Sequence, residues 1–224
     1  MLIAAASVCA VTLEAHAQAP PSERDLRIYA GLHEAAAQGD VAAIEKLIAE
    51  GEPPNLQDAN SRTPPHVAAY LRKHEAARTL VRLGADPNAF DAERFDMISI
   101  AAVNNDLEML KIALDSGGNP RAITGTADAT ALIAAARRGN KDVVDTLIAA
   151  KAPLNHVNSF GHTALLEAIV LGNGSGNYTA VVQALVQANA DLNVPDRHGA
   201  TALAHARRRG YTQIARILEN AGAR

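Results

Sequence analysis

The sequence predicts an all-α fold, a solenoid of about six helix-turn-helix units joined by hairpin-like loops. Two separate landmarks recur with a period of about 33 residues, one where each unit begins and one where it ends, and this period is typical of a helical solenoid. Composition agrees, because 48% of the residues are hydrophobic but only 3% are aromatic, and Trp is absent. Small aliphatic side chains suit thin stacked helices better than a sandwich or a barrel.

Each unit is predicted to begin with a capped first helix and to end with a glycine-rich exit. The first helices begin at Ala30, Thr63, Asp96, Thr130, Thr163 and Thr201. The exits lie at Gly51, Gly84, Gly117, Lys151, Asn189 and Gly222. Thr or Asp at the helix start can accept a backbone N–H, which predicts a side-chain cap. Paired alanines that follow, such as Ala134-Ala135, let neighbouring first helices approach closely.

The helix starts and exits define a repeat domain, and a signal peptide and a short spacer precede it. We predict a signal peptide at 1–17, a spacer at 18–28 and a repeat domain at 29–224, with units near 29–57, 58–90, 91–124, 125–157, 158–195 and 196–224. The fifth unit is longer than the others, which predicts an insertion of Asn173 to Asn177 between its two helices.

The N-terminal residues predict export from the cytoplasm. Residues 1–13 are almost wholly apolar or small, and Ala15-His16-Ala17 is a cleavage pattern. No Lys or Arg precedes the apolar run, which is atypical of a signal peptide. A membrane anchor is one alternative, and a lipoprotein at Cys9 is another, although Val8 is not the small residue that precedes a lipoprotein cysteine. The run is short for a membrane span. We therefore expect a periplasmic or secreted protein that has no membrane insertion after signal removal.

Two segments carry a resemblance to a known repeat family. Thr63-Pro64-Pro65-His66-Val67-Ala68-Ala69 resembles the Thr-Pro-Leu-His-x-Ala-Ala signature of ankyrin repeats, with Pro65 in place of Leu. Gly84-Ala85-Asp86-Pro87-Asn88 resembles the Gly-Ala-Asp-x-Asn exit of that family. The third unit departs from the signature, since it reads Asp96-Met97-Ile98-Ser99. The resemblance covers 29–224 and implies an ankyrin-repeat solenoid in which His33 and His66 are hydrogen-bonding struts.

The sequence offers no strong constellation for catalysis or metal binding. The remaining histidines are scattered without an i,i+4 pair, although His162 and His198 hold neighbouring hairpin positions and could form a weak metal site. Gly172–Asn177 lacks the Lys-Ser/Thr of a phosphate-binding loop. A net charge of -3 gives no reason to expect nucleic acid. We therefore predict no enzyme activity, no cofactor and no nucleic-acid partner.

The locally basic C-terminal end does not alter this prediction. Arg207-Arg208-Arg209 is a local cluster in a chain of net charge -3, whereas nucleic-acid binding needs a basic balance over the whole domain, so a solvated cap is the favoured interpretation and an acidic protein partner the alternative.

The resemblance also implies where a partner would bind. In ankyrin-like solenoids the hairpin tips and the outward side of the first helices form a concave face, which by repeat register here also includes Arg62. The candidate partner-binding residues are Tyr70, Phe95, Asn104, Arg137, Arg138, Phe160, His162, Arg197 and His198. Exposed aromatic and arginine side chains dominate interface energetics, so Tyr70, Phe95, Phe160 and the two central arginines are the expected anchors.

These features lead to two functional hypotheses. The first is a monomeric, non-enzymatic scaffold of the bacterial cell envelope that binds an unknown folded protein through its concave face. The alternative is an immunity or protective protein that occludes an exported toxin or enzyme. A gene neighbour encoding a secreted hydrolase would favour the alternative.

Overall fold

A computed structural model describes residues 19–224, which form thirteen α-helices and no strand. The helices are α1 Glu23–Ile28, α2 Gly31–Gln38, α3 Val41–Ala49, α4 Pro64–Tyr70, α5 His74–Arg82, α6 Met97–Val103, α7 Leu107–Asp115, α8 Ala131–Arg138, α9 Lys141–Ala149, α10 Ala164–Val170, α11 Gly176–Gln187, α12 Ala202–Arg208 and α13 Thr212–Asn220. The signal peptide predicted at 1–17 and Cys9 lie outside the described residues.

Helices α2 to α13 stack in two layers, and this confirms the predicted solenoid of helix-turn-helix units. The first layer is the series α2, α4, α6, α8, α10 and α12, in which each helix packs on the next. The second layer is the series α3, α5, α7, α9, α11 and α13, which packs in the same order. The two helices of each unit pack on each other, and each unit packs on its neighbours. Apolar surface is therefore buried along the whole stack.

The core is built from buried alanines and buried aliphatic residues of both layers. Ala101, Ala102, Ala135 and Ala136 are fully buried, as close approach of the first helices requires. Leu147 on α9 is likewise 0% exposed.

Side chains cap four of the six first helices as predicted. Asp96, Thr130, Thr163 and Thr201 each accept the backbone N–H three residues ahead. Removing such caps typically costs about 1 kcal/mol.

The two signature histidines are struts between consecutive units, as the resemblance implies. His33 Nε2 lies 2.8 Å from the Arg62 carbonyl oxygen, and His66 Nε2 lies 3.0 Å from the Phe95 carbonyl oxygen. The Thr63 backbone N–H donates to His66 Nδ1 at 3.1 Å, so the ring proton must sit on Nε2. Burial lowers the pKa of His66, which agrees with a neutral ring.

A polar residue pins four of the five hairpin tips, each through two backbone N–H groups. Asp58, Asp91, Asn158 and Asp196 each accept the N–H groups two and four residues ahead, at 2.8–3.0 Å. The second polar atom of each side chain is held by a further group, for example by His205 Nε2, which donates to Asp196 Oδ2 at 2.7 Å. The tips are therefore rigid.

Asparagines at the exits link neighbouring units in a ladder. Asn55, Asn88, Asn155 and Asn193 each use Oδ1 to accept a backbone N–H of the next unit, at 2.7–2.9 Å. The joint between the third and fourth units is different. Arg121 occupies the asparagine position and Pro153, which has no N–H, occupies the donor position. There the Arg121 guanidinium donates to the Lys151 carbonyl at 3.1 Å instead.

The segment predicted as a spacer contains a docked helix. Ser22 and Asp25 form a capping box at the start of α1. The Arg62 guanidinium donates to Asp25 Oδ2 and to Asp58 Oδ2, both at 2.8 Å, and its side chain is only 3% exposed. The expectation that Arg62 belongs to the free concave face is therefore wrong, because the side chain anchors α1.

The low pKa values of two carboxyls predict loss of stability in acid. Hydrogen bonding to Arg62 lowers the pKa of Asp25 from 3.8 to about 2. Burial raises the pKa of Asp196, but backbone N–H groups and His205 outweigh burial and bring the value to about 2. A lowered folded-state pKa stabilises the protein above the unfolded value, and this contribution disappears as pH falls from about 4 to about 2.

Thermal melts between pH 7 and pH 2 test this prediction. We expect a fall in Tm within that acid window, and a shallower fall for the variant Asp25→Asn/Asp196→Asn, which has no charge to lose at these sites. An equal fall in both proteins would show that other groups control acid unfolding.

Candidate functional site

A cleft of about 550 Å³ opens on the concave face between the third, fourth and fifth units. It is lined by residues of α6, α8, α10 and the start of α11, and by the hairpins that precede α8 and α10. This volume lies in the range of about 300–1,000 Å³ that is usual for ligand pockets.

The fourth unit lines the cleft with a small residue at a position where other units carry a larger one. The position four residues after the helix start holds Glu34, Val67, Ile100, Ala134, Glu167 and His205 in successive units. Ala134 and Glu167 both line the cleft.

The hairpin before α8 also shapes the cleft, because it is one residue longer than the preceding hairpin. Thr130, at the start of α8, lies six residues after Thr124, whereas Asp96, at the start of α6, lies five residues after Asp91. Thr124 and Ala129 exchange backbone hydrogen bonds at 2.7 and 3.1 Å, and the residues between them form one wall.

Four of the predicted anchors meet at this cleft. Phe95, Arg137, Arg138 and Phe160 all line it. Neither guanidinium of the arginine pair forms a hydrogen bond or an ion pair with another residue in the range 19–224. The cleft therefore combines aromatic surface with two positive charges that are available to a ligand.

Glu167, which the sequence did not single out, lies in the same cleft and is only 1% exposed. Its Oε1 accepts from Asn158 Nδ2 at 2.8 Å and lies 3.4 Å from His162 Nδ1. Its Oε2 is buried and has no hydrogen-bond partner among the described residues. The repeat register could have identified Glu167, because Val67 and Ile100 occupy the equivalent position.

Tyr178 is a second residue that sequence reasoning missed, and it directly follows the insertion of Asn173 to Asn177. The insertion is partly helical: α11 begins at Gly176 and spans 12 residues, whereas α9 spans 9. Tyr178 lies in this extension and reaches back across Gly139, and its hydroxyl donates to the Arg137 carbonyl at 3.1 Å. It lines the cleft and connects the fifth unit to the end of α8.

Tyr70 is not an exposed anchor, contrary to the prediction. Its side chain is buried, with 8% relative exposure, and its hydroxyl donates to Asp91 Oδ2 at 2.8 Å. Burial raises the pKa of Tyr70, and the neighbouring Asp91 charge adds to this effect. The residue stabilises the hairpin before α6 rather than a partner.

The other predicted residues lie outside the cleft lining. Asn104 caps the C-terminus of α6. His162 is only partly exposed and packs against Glu167. Arg197 donates to the Ser159 carbonyl and so ties two hairpins together, whereas His198 is exposed at the next tip. His162 and His198 are not part of any group of three or more potential metal ligands within residues 19–224, where no such group occurs.

None of the helices found between residues 19 and 224 has the length and apolar character needed to cross a membrane.

Comparison with known proteins agrees with the repeat architecture. The family model described as "Ankyrin repeats (3 copies)" matches residues 32–123, 98–196 and 132–224. The chain is similar to "Putative ankyrin repeat protein YahD" of Escherichia coli (strain K12), with 36% identity over 124 residues. That match covers 55% of this chain and 61% of the relative, so the chain spans less than two thirds of the relative's length.

Solved structures show the same similarity over more of the chain. An ankyrin repeat domain from Acinetobacter baumannii AYE has 40% identity and a TM-score of 0.83, over 86% of this chain and 98% of that structure. The ankyrin repeat protein EF0377 has 29% identity and a TM-score of 0.80, over 87% of this chain and 98% of that structure.

Proposed function

Because the chain belongs to the ankyrin repeat family, whose repeats generally mediate protein–protein interactions and are typically non-enzymatic, we propose that it is a non-enzymatic binding scaffold of the bacterial cell envelope. It binds a folded protein partner through its concave face. The N-terminal apolar run and Ala15-His16-Ala17 support a periplasmic or secreted location.

The observation that carries this proposal is the convergence of four anchor residues on one cleft. Phe95 and Phe160 provide apolar contact area, while Arg137 and Arg138 present charges without protein partners among the described residues. Aromatic and arginine residues around a concave centre are typical of binding hot spots. The rigid hairpin tips further support a binding role, because preordered residues lose little conformational entropy on association.

A pull-down from an envelope extract tests the proposal. We expect the intact protein to capture a specific partner and the variant Phe95→Ala/Arg137→Ala/Arg138→Ala/Phe160→Ala to lose it, since hot-spot substitutions each cost about 2 kcal/mol or more of binding free energy. Circular dichroism checks that the variant is folded.

A matched control removes exposed charges from the second helices. Lys46→Ala/Lys111→Ala/Arg216→Ala changes residues on α3, α7 and α13 and should retain the partner. Retention of every specific partner by the cleft variant would contradict the proposal. Capture of an exported toxin or hydrolase would instead support the immunity hypothesis.

A further inference from the structure

Glu167, which lines the cleft, carries a buried carboxylate oxygen that the fold does not satisfy. Glu167 is 1% exposed, and its Oε2 has no hydrogen-bond partner among residues 19–224. The only other buried side-chain atom of this kind in that range is Glu93 Oε2, and Glu93 does not line the cleft. Buried polar atoms are normally hydrogen-bonded, because an unsatisfied one loses its hydration without gaining a partner. Glu167 Oε2 therefore requires an explanation.

A purely structural role accounts for only half of this side chain. Glu167 Oε1 orients Asn158, which in turn accepts the N–H groups of the hairpin tip. The fold does not need a carboxylate here, since Val67 and Ile100 fill the equivalent position in other units and are fully buried. The ordering of Asn158 leaves Oε2 unexplained, and Oε2 belongs to a residue that lines an open cleft.

The surroundings of Glu167 indicate which donor would suit it. Phe95, Phe160 and Tyr178 give the cleft aromatic walls. A guanidinium group is planar and weakly hydrated, stacks on aromatic faces and donates to carboxylates, so it fits such a site better than a compact, strongly hydrated ammonium group.

The charges at the cleft set a second requirement. Arg137 and Arg138 are the two cationic residues of its lining, and they repel an approaching cation. Carboxylates beside the guanidinium in the ligand would offset this repulsion by pairing with the two arginines.

We infer that the cleft is a subsite for one arginine side chain of the protein partner, flanked in the partner by Asp or Glu, with Glu167 accepting from the guanidinium. This inference rests on the proposed function and deepens it. The arginine enters beside Ala134, and its flanking carboxylates pair with Arg137 and Arg138.

A peptide titration tests the subsite without knowledge of the partner. The ¹⁵N-labelled protein is titrated with acetyl-Asp-Arg-Asp-amide and with the same peptide carrying citrulline, which is neutral and nearly isosteric with arginine. We expect amide shifts at Ser99, Ala134 and Glu167, with at least about tenfold tighter binding of the arginine peptide, equivalent to about 1.4 kcal/mol. Equal affinity for both peptides, shifts located elsewhere, or no shifts up to about 10 mM peptide would overturn the inference.

Substitutions at Glu167 are the second part of this peptide test. Glu167→Gln keeps an oxygen acceptor for Asn158 and should abolish the preference for arginine over citrulline. Glu167→Ile, which installs the residue found at Ile100, should abolish binding and should lower Tm, because it leaves the Asn158 amide unpaired, so circular dichroism checks that this variant is folded. Glu34→Gln is the matched control, because Glu34 holds the same register position in the first unit but is exposed. Unchanged arginine preference in both Glu167 variants would contradict the assignment.

The same variants separate this inference from the proposed function. If Glu167→Ile still captured the envelope partner while the four-residue cleft variant did not, the arginine subsite would be wrong and the binding scaffold would stand. If the four-residue cleft variant retained every partner, the proposed function would fail, whatever the peptide result.

Discussion

Substitution of Leu147 by Ala is expected to lower the free energy of unfolding by about 2–5 kcal/mol, the usual range for a fully buried leucine. Leu147 is 0% exposed in the middle of the second layer, on α9, which packs against α8 and α11. The cavity would lie at a joint shared by several units, so neighbouring units cannot close it without moving a helix.

Urea unfolding followed by circular dichroism measures this change. Leu171→Ala is the matched control, because Leu171 is 48% exposed at the end of α10 and should change stability by less than about 0.5 kcal/mol. A loss as small for Leu147→Ala as for the control would contradict the packing of the second layer.

Substitution of Arg62 by Ala is expected to cost about 3 kcal/mol, the lower end of the range for breaking a buried ion pair. The lower end applies because Asp25 is partly exposed, with a side chain 23% accessible, and can regain water. Asp58 keeps its hydrogen bond from the Tyr29 hydroxyl at 2.7 Å. We also expect α1 to detach, because Arg62 holds this helix through Asp25.

Hydrogen exchange of residues 23–28 and urea unfolding together check both effects. Arg27→Ala is the control: its ion pair with Glu23 is 3.6 Å long and both side chains are highly exposed, so its loss should cost at most about 0.5 kcal/mol. Unchanged protection of α1 in Arg62→Ala would show that other contacts hold the helix.

The period of the sequence was enough to predict the repeat architecture, because helix caps, paired alanines and exits all follow local rules. Register also placed Phe95, Arg137, Arg138 and Phe160 on one face, and the structure brings them to one cleft. The repeat register did not predict which side chains on this face turn inward to form hydrogen bonds with residues distant in sequence. Tyr70 is 21 residues from Asp91, and no periodic pattern predicts that hydrogen bond.

Two residues of the cleft required a different kind of information. Glu167 could have been found by comparing units position by position and asking why a carboxylate replaces an aliphatic residue. Tyr178 is harder to find, because its contact with Arg137 spans 41 residues, although Tyr211 makes the matching contact with the Gly172 carbonyl one unit later. The depth of the cleft depends on both side chains, so the sequence alone predicted a face but not a cavity.

The Arg121 link between the third and fourth units has a mechanical consequence. Four of the five joints in the stack are fixed by an asparagine, whose short side chain holds the next backbone at one distance. The remaining joint, between the third and fourth units, relies on an exposed arginine with more rotatable bonds. This joint lies in the same part of the stack as the cleft. The array is therefore most compliant where it has its cavity, so a bending force would change the width of the cleft before it disturbed either end.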